Sequence, residues 1–456
     1  MTYFSTMYRN EELYKSKNIL APMVRVGTLP MRILSLKYGA DLVYTEELID
    51  WKFLKSIRVE NKTLQTVDYI DPTDGTIIFR TSGIEKEKVI VQLGTCDPNR
   101  ALKVAKMIEK DVAGIDINMG CPKEFSLKGG MGAALLTQPE KAKNILKTLV
   151  DNISIPITCK IRVFQCIEET INLVNELVSS GISAIAIHGR TKVERPQHSN
   201  RNEVIKFISN KINIPVIANG GSREIETYDD ILKFRELCGA SSVMIARAAE
   251  ANCSIFCKEG KKPLDDVISD YLKLCIEYDN SPSNTKYCVQ NMLKELQETP
   301  RGKKFLECQT LEQICAIWNL GEYCRQKQIE FQSKGMIGRR EVCPDMFSPV
   351  RKKLRTDDVT EHKCAFIRVN YMSDPELPKS KLIAHCNKLK TKPPKYETIC
   401  KDKLFRSIVT FDGKRYSSNY WEKNKRFAEQ GAALACIYSL GLVEKKELVE
   451  NGSILE

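Results

Sequence analysis

The densest run of chemistry-bearing residues in the chain is Asn118-Met-Gly-Cys-Pro-Lys-Glu-Phe-Ser-Leu-Lys-Gly-Gly-Met-Gly132. Cys121 stands just past a short apolar run and directly before a proline, and three glycines then fall within four residues. Such a loop admits close backbone approach by a ligand. A thiol there is a nucleophile if a base lowers its pKa, and a general acid if it stays protonated. Position alone does not choose between them. Other apolar runs end in residues of similar character: Pro22-Met23-Val24, Glu46-Glu47, Gln92, Lys160 with Arg162, His188 with Arg190, Asn219-Gly220-Gly221, and Ala246-Arg247. The last two suit a phosphate, held on backbone N–H groups and an arginine. Lys160 and His188, on neighbouring runs, suit the ring portion of a cofactor. Taken singly, a histidine on a strand is commonly core and Asn-Gly-Gly an ordinary turn. Agreement among eight run ends carries the functional reading.

Those ends need a scaffold that gathers them. The runs are Asn18–Met23, Asp41–Glu46, Val89–Leu93, Gly114–Asn118, Ile157–Val163, Ala184–His188, Pro215–Asn219 and Ser242–Ala246. Each is continuous and rich in β-branched residues, as strands covered on both faces require, and helical segments alternate with them. Eight such units predict a (β/α)8 barrel over residues 14–260, with its chemistry at the C-terminal strand ends. Residues 50–87 are too long for one loop and predict an inserted excursion, read as a small hairpin. Amphipathic stretches predict a helical domain over 261–333. Residues 334–362 are charged and aperiodic, and read as a linker. From 363 to 443 the order is a helix, three short antiparallel strands (YETIC, FRSIVTF, KRYSS) and a long helix from Trp421 to Gly441.

Composition narrows the function classes. The 456 residues are 42% hydrophobic, enough for a sizeable core, and carry 70 Lys+Arg against 58 Asp+Glu, a net charge of +12. Residues 363–443 hold 16 of those bases and 7 of the acids, whereas residues 1–345 hold 48 and 44. The basic excess therefore belongs largely to the tail and points to a polyanion there. No run of about 18 apolar residues predicts a membrane span. The first residues lack a signal sequence, and 17 cysteines, an odd number, predict reduced thiols in the cytoplasm.

Longer motifs carry a resemblance. APMVRVGTLPMR (21–32), EELID (46–50), VAGIDINMGCPKEFSLKGGMGAALL (112–136), TCKIRV (158–163), AIHGRTKVERPQH (186–198), PVIANGGS (215–222) and VMIARAA (243–249) resemble the tRNA-dihydrouridine synthases. The likeness is greatest to the eukaryotic position-20 branch, which carries a C-terminal double-stranded-RNA-binding domain of α-β-β-β-α order. The resemblance implies an FMN-bound barrel that uses NADPH to reduce the C5=C6 bond of a tRNA uridine. It puts Pro22, Met23 and Val24 along the flavin, and Gln92, Lys160 and His188 around its ring. Lysine suits the negative charge that develops at a flavin's N1/O2 edge. Asn219, Gly220, Gly221, Ala246 and Arg247 would hold ribityl and phosphate. Cys121 would donate a proton to C5 while hydride passes from flavin N5 to C6. Asn118 and Arg190 would position the extruded base, and Lys128 and Arg195 would meet the tRNA backbone. In the tail, Lys423, Lys425 and Arg426 would face phosphates. The usual Gly-Pro-x-His loop is replaced by KDKLFRSI, which moves the expected contacts to Lys379, Lys381 and the 363–371 extension. A monomer with no metal is expected. A flavin barrel acting on a free pyrimidine explains Cys121 but not the basic tail. An RNA-binding protein with an inert barrel does not explain Cys121, Lys160 and His188.

Overall fold

The computed structural model describes residues 11–72, 75–334, 336, 358–371, 376–401, 404–422 and 424–454. Eight strands form the barrel: β1 (Asn18–Leu20), β2 (Leu42–Tyr44), β7 (Val89–Gly94), β8 (Gly114–Met119), β9 (Ile157–Arg162), β10 (Ala184–His188), β11 (Val216–Asn219) and β12 (Ser242–Ile245). All neighbours are parallel. β1 pairs with β2 and β12, and the ring closes where Val43 and Tyr44 of β2 meet Val89 and Ile90 of β7. The two-residue β3 (Leu48–Ile49) continues the second strand along β7. Every residue of β7 and β8 is buried, which accounts for the unbroken apolar runs. The helices start where local chemistry directs. Asp97 caps Pro98–Ile108 by accepting the Arg100 N–H, with proline at the first helical position.

The excursion is larger than a hairpin. β4 (Ile57–Asn61), β5 (Thr66–Ile70) and β6 (Ile77–Ser82) form a three-stranded antiparallel sheet. Its core is aromatic: Tyr69 stacks on Phe79 at 5.7 Å and lies 4.9 Å from Phe53. The outermost strand, β4, is mostly exposed, so it lacks the apolar pattern that would have announced it.

Contacts divide the chain between Asn280 and Ser281. Helix Leu264–Glu277 belongs to the first unit. It packs on helix Leu29–Lys37, where Asp270 accepts from Lys37 and from the Tyr38 hydroxyl.

The second unit opens with helices Pro282–Leu293, Pro300–Glu307, Leu311–Ala316 and Gly321–Ser333. A four-stranded sheet follows in the order β13 (Val359–His362), β16 (Lys414–Ser418), β15 (Leu404–Phe411), β14 (Lys395–Lys401). Helices Pro378–Leu389 and Lys425–Ser439 cover it, with Leu382, Cys386, Val409, Phe411 and Ala432–Ile437 in the core. β13 lies inside the segment read as a linker and pairs in parallel with β16. Four residues with two exposed polar side chains are too short to show a period. The last long helix begins at Lys425, capped by Asn424, rather than at Trp421. Trp421 and Glu422 lie outside it because their backbone N–H groups bond to Glu307 and Phe405. A further helix, Lys445–Glu450, adds Leu448 to the same core.

Candidate active site

The barrel gathers its polar strand ends around a cavity of about 810 Å³. Cys121 lines it, and so do Asn219, Gly220, Gly221, Ala246 and Arg247. A buried chain of hydrogen bonds leads from the barrel interior to the thiol loop. Asp116 accepts from Thr158 Oγ1 and Gln92 Nε2, each at 2.8 Å. Gln92 Oε1 accepts from Asn118 Nδ2 at 3.0 Å, and Asn118 Oδ1 accepts the backbone N–H groups of Gly120 and Cys121. Burial raises Asp116 to about 6, although both donors oppose the rise. The loop is packed rather than loose: Gly132, at φ +57°, lies against Cys121 and Ser126.

Cys121 is half-buried. Burial and the neighbouring Glu47 carboxyl push its thiol above the usual range, so it is neutral at neutral pH. Of the two chemistries open to a thiol in this position, the environment favours the general acid.

Beside the thiol loop, cations crowd one another. Burial and Arg162 lower Lys160 to about 8, and burial with Arg195 and Arg190 lowers Arg162 to about 10. Arg162 donates to the Gly120 and Thr191 carbonyls, and Arg190 to those of His198 and Gly220. Burial and the surrounding Lys160, Arg162, Arg190 and Arg247 hold His188 well below its ordinary value. The ring is neutral, and its Nε2 lies 3.1 Å from Arg190 Nη1. Positive charges partnered by carbonyls leave a site that an anion stabilises. Ser222 Oγ, buried without a partner, lines the same wall. Gly220 has φ +117°, and a Cβ there would meet Asn200 Oδ1 at 1.9 Å, so the chain turns there only with glycine.

Other predicted residues lie at varied distances from this cavity. Pro22 and Met23 are partly buried and Val24 is exposed in the first loop, which Glu46 secures by accepting the Arg25 N–H at 2.7 Å. Gln92 and Asn118 sit behind the wall, in the network above. Arg195 lines the cavity and donates to carbonyls of its own loop. Lys128 is exposed and pairs with Glu124. In the second unit Lys379 pairs with Glu429 and lies 4.5 Å from the Tyr396 ring centre. Lys425 and Arg426 are exposed at the start of their helix, Lys381 lies on Pro378–Leu389, and Lys423 falls outside the described residues. Sequence reasoning placed Glu47 and Arg162 among the strand ends without giving either a role, and passed over Ser126, which lies inside the thiol loop.

Comparisons with known proteins agree with this architecture. The family model for dihydrouridine synthase matches residues 19–329, and that for the double-stranded RNA binding motif matches 378–440. The tRNA-dihydrouridine(20) synthase [NAD(P)+] of Schizosaccharomyces pombe is 39% identical over 292 residues, 62% of this chain and 60% of that protein. The Saccharomyces cerevisiae protein of the same name is 36% identical over 323 residues, 67% of this chain and 83% of its own length. A solved tRNA-dihydrouridine(20) synthase dsRBD domain is 40% identical over 19% of this chain and 93% of that one, with a TM-score of 0.18. Among the described residues no helix is long and apolar enough to cross a membrane. With a family match running through the whole barrel and its cavity, the chain belongs to the dihydrouridine synthase family.

Proposed function

We propose that this protein is an FMN-dependent, NADPH-driven enzyme that reduces the C5=C6 bond of a tRNA uridine, at position 20 of the D-loop, to dihydrouridine in the cytoplasm. The observation that carries the reading is a neutral thiol lining a cavity that Arg162, Arg190, Arg195 and Arg247 also line. The wall suits a phosphorylated flavin: Ser222 Oγ, buried without a partner, lines the cavity together with Arg247. Arg247, Ser222 and the Asn219–Gly221 turn would hold the phosphate end, with Lys160 and neutral His188 at the ring. FMN held there and reduced by NADPH would supply the hydride for C6 of the base. Cys121 supplies the proton to C5, general acid assistance of a kind typically contributing ~10²–10⁴-fold. Asn118 and Arg190 are engaged with the Cys121 loop and with Gly220, so they would shape the walls around the base. The uridine must leave its stack to enter, as bases acted on by enzymes generally do. Lys128 and Arg195 at the rim, with Lys379, Lys381, Lys425 and Arg426 in the RNA-binding module, would meet tRNA phosphates.

The test is mass spectrometry of tRNA treated with protein and NADPH, with dihydrouridine mapped by position. Wild-type protein should purify yellow and modify position 20. Cys121→Ala should keep the flavin and lose about 10²-fold or more of its turnover. Unimpaired dihydrouridine formation by Cys121→Ala would sink the proton-donor assignment, and reduction of free uracil in place of tRNA would sink the substrate.

A further inference from the structure

Of the three tryptophans only Trp51 is exposed, and it stands on the face of the barrel that carries the chemistry. It belongs to the short helix Asp50–Phe53, which follows β3 at the end of the second barrel strand. Its mount is held on both sides. Asp50 is fully buried and accepts the Trp51 N–H, the Thr95 hydroxyl at 2.8 Å and the Arg100 Nε–H at 2.8 Å. Phe53, also fully buried, packs 4.9 Å from the Tyr69 ring. The indole between them is 47% exposed. Thr95 leads directly into Cys96, and Cys96 lies against the thiol loop, where a Cβ on Gly130 would stand 3.6 Å from its own Cβ. Trp51 therefore sits on the rim, one turn of chain away from the loop that carries Cys121.

A single apolar side chain on a surface is ordinary. Two companions set this one apart. The ammonium groups of Lys52 and Lys55 each lie 5.5 Å from the indole centre. Both lysines are exposed, and among the described residues neither has a carboxylate partner. Lys128 and Lys379, by contrast, are tied to Glu124 and Glu429. A fixed aromatic face with two uncommitted cations beside it suits a nucleic-acid base and the phosphates flanking it. An apolar protein partner would have to strip water from both cations without replacing it.

We propose that Trp51, Lys52 and Lys55 form an RNA-contact platform on the catalytic unit, where a tRNA base next to the target uridine stacks on the indole and its phosphates meet the two lysines. The proposal rests on tRNA being the substrate. Drawing one base out of its stack uncovers the faces of its neighbours. The indole offers one of them a replacement surface at the rim through which the uridine enters.

The experiment uses the full-length flavoprotein and tRNA lacking dihydrouridine, with product read by mass spectrometry across tRNA concentrations. Trp51→Ala should raise KM for tRNA about tenfold and leave kcat and flavin content unchanged, and Trp51→Phe should recover most of that loss. Lys52→Ala with Lys55→Ala should raise KM and reduce the slope of log KM against log salt by about 1–2. Saturating tRNA should quench the wild-type tryptophan emission more than that of Trp51→Phe. An unchanged KM in Trp51→Ala, or equal quenching in wild type and Trp51→Phe, overturns the platform. A change of oligomeric state in Trp51→Ala with KM unaltered also overturns it, and assigns the patch to a second copy of this chain. Failure of the underlying reading looks different: the wild type itself would form no dihydrouridine in tRNA.

Discussion

Lys160, on the strand that brings Arg162 to the cavity, shows how single residues bear on this site. It lies two residues before Arg162 on the same strand, and the two cations, both partly buried, repel each other. Its value near 8 means that burial and Arg162 penalise the charged form. An anionic ligand reverses that penalty, so binding favours protonated Lys160. The sign follows. Below about pH 8 the lysine is already charged and flavin binds at full strength; as the pH rises past 8, binding must also recruit a proton and weakens. Flavin titrations followed by fluorescence quenching from pH 7 to 10 should show affinity falling above about 8. Lys160→Met should bind more weakly at pH 7 and lack that inflection. A flat profile in the wild type would refute the assignment of Lys160 to the flavin. His188 adds no such step near neutrality, because its neighbours keep it neutral throughout.

Among elements, the loop from Asn118 to Gly132 decides where the thiol stands. Its three clustered glycines read as freedom, and the fold uses one of them for the opposite purpose. Gly132 has a positive φ, and a Cβ there would lie 2.4 Å from Ser126 Oγ and 2.7 Å from the Cys121 carbonyl oxygen. Gly132→Ala should therefore displace the thiol, cost about 1–3 kcal/mol of stability, and lower turnover at least tenfold with flavin content retained. Thermal melting, absorbance and the tRNA assay report these separately. The barrel strands were legible because two-sided burial leaves continuous apolar runs such as Val89–Leu93. The outer strand β4 and the edge strand β13 were not, since exposed or polar strands carry no such run. The site was legible as strand-end residue types. What escaped was the wiring, because the contacts of Asp116 with Gln92, and of Arg162 with the Gly120 carbonyl, join residues distant in sequence.

For the molecule as a whole, the net charge of +12 is unevenly placed, and its use depends on how the second unit is built. Lys425 and Arg426 stand exposed at the start of a capped helix, where phosphates are favoured. Replacing both with alanine should weaken tRNA binding and reduce the slope of log affinity against log salt by about 1–2. Flavin content should not change. Such contacts act on the substrate only if the module is held firmly, and one buried pair does much of this within the second unit. Lys303, from helix Pro300–Glu307, is fully buried, pairs with Glu422 and donates to the Phe366 carbonyl at 3.0 Å. Glu298 and Glu307 add bonds to the Arg368 and Trp421 N–H groups. Burial lowers Lys303 from its ordinary value even with Glu422 beside it, so the pair is costly to bury and costlier to break. Lys303→Met should remove the cation that offsets buried Glu422 and destabilise the unit by about 3–5 kcal/mol, whereas Lys303→Met with Glu422→Met should recover most of that loss. Urea unfolding followed by the emission of Trp318 and Trp421, both in this unit, measures the difference. If both variants are as stable as the wild type, the pair does not hold the RNA-binding sheet to the helices before it.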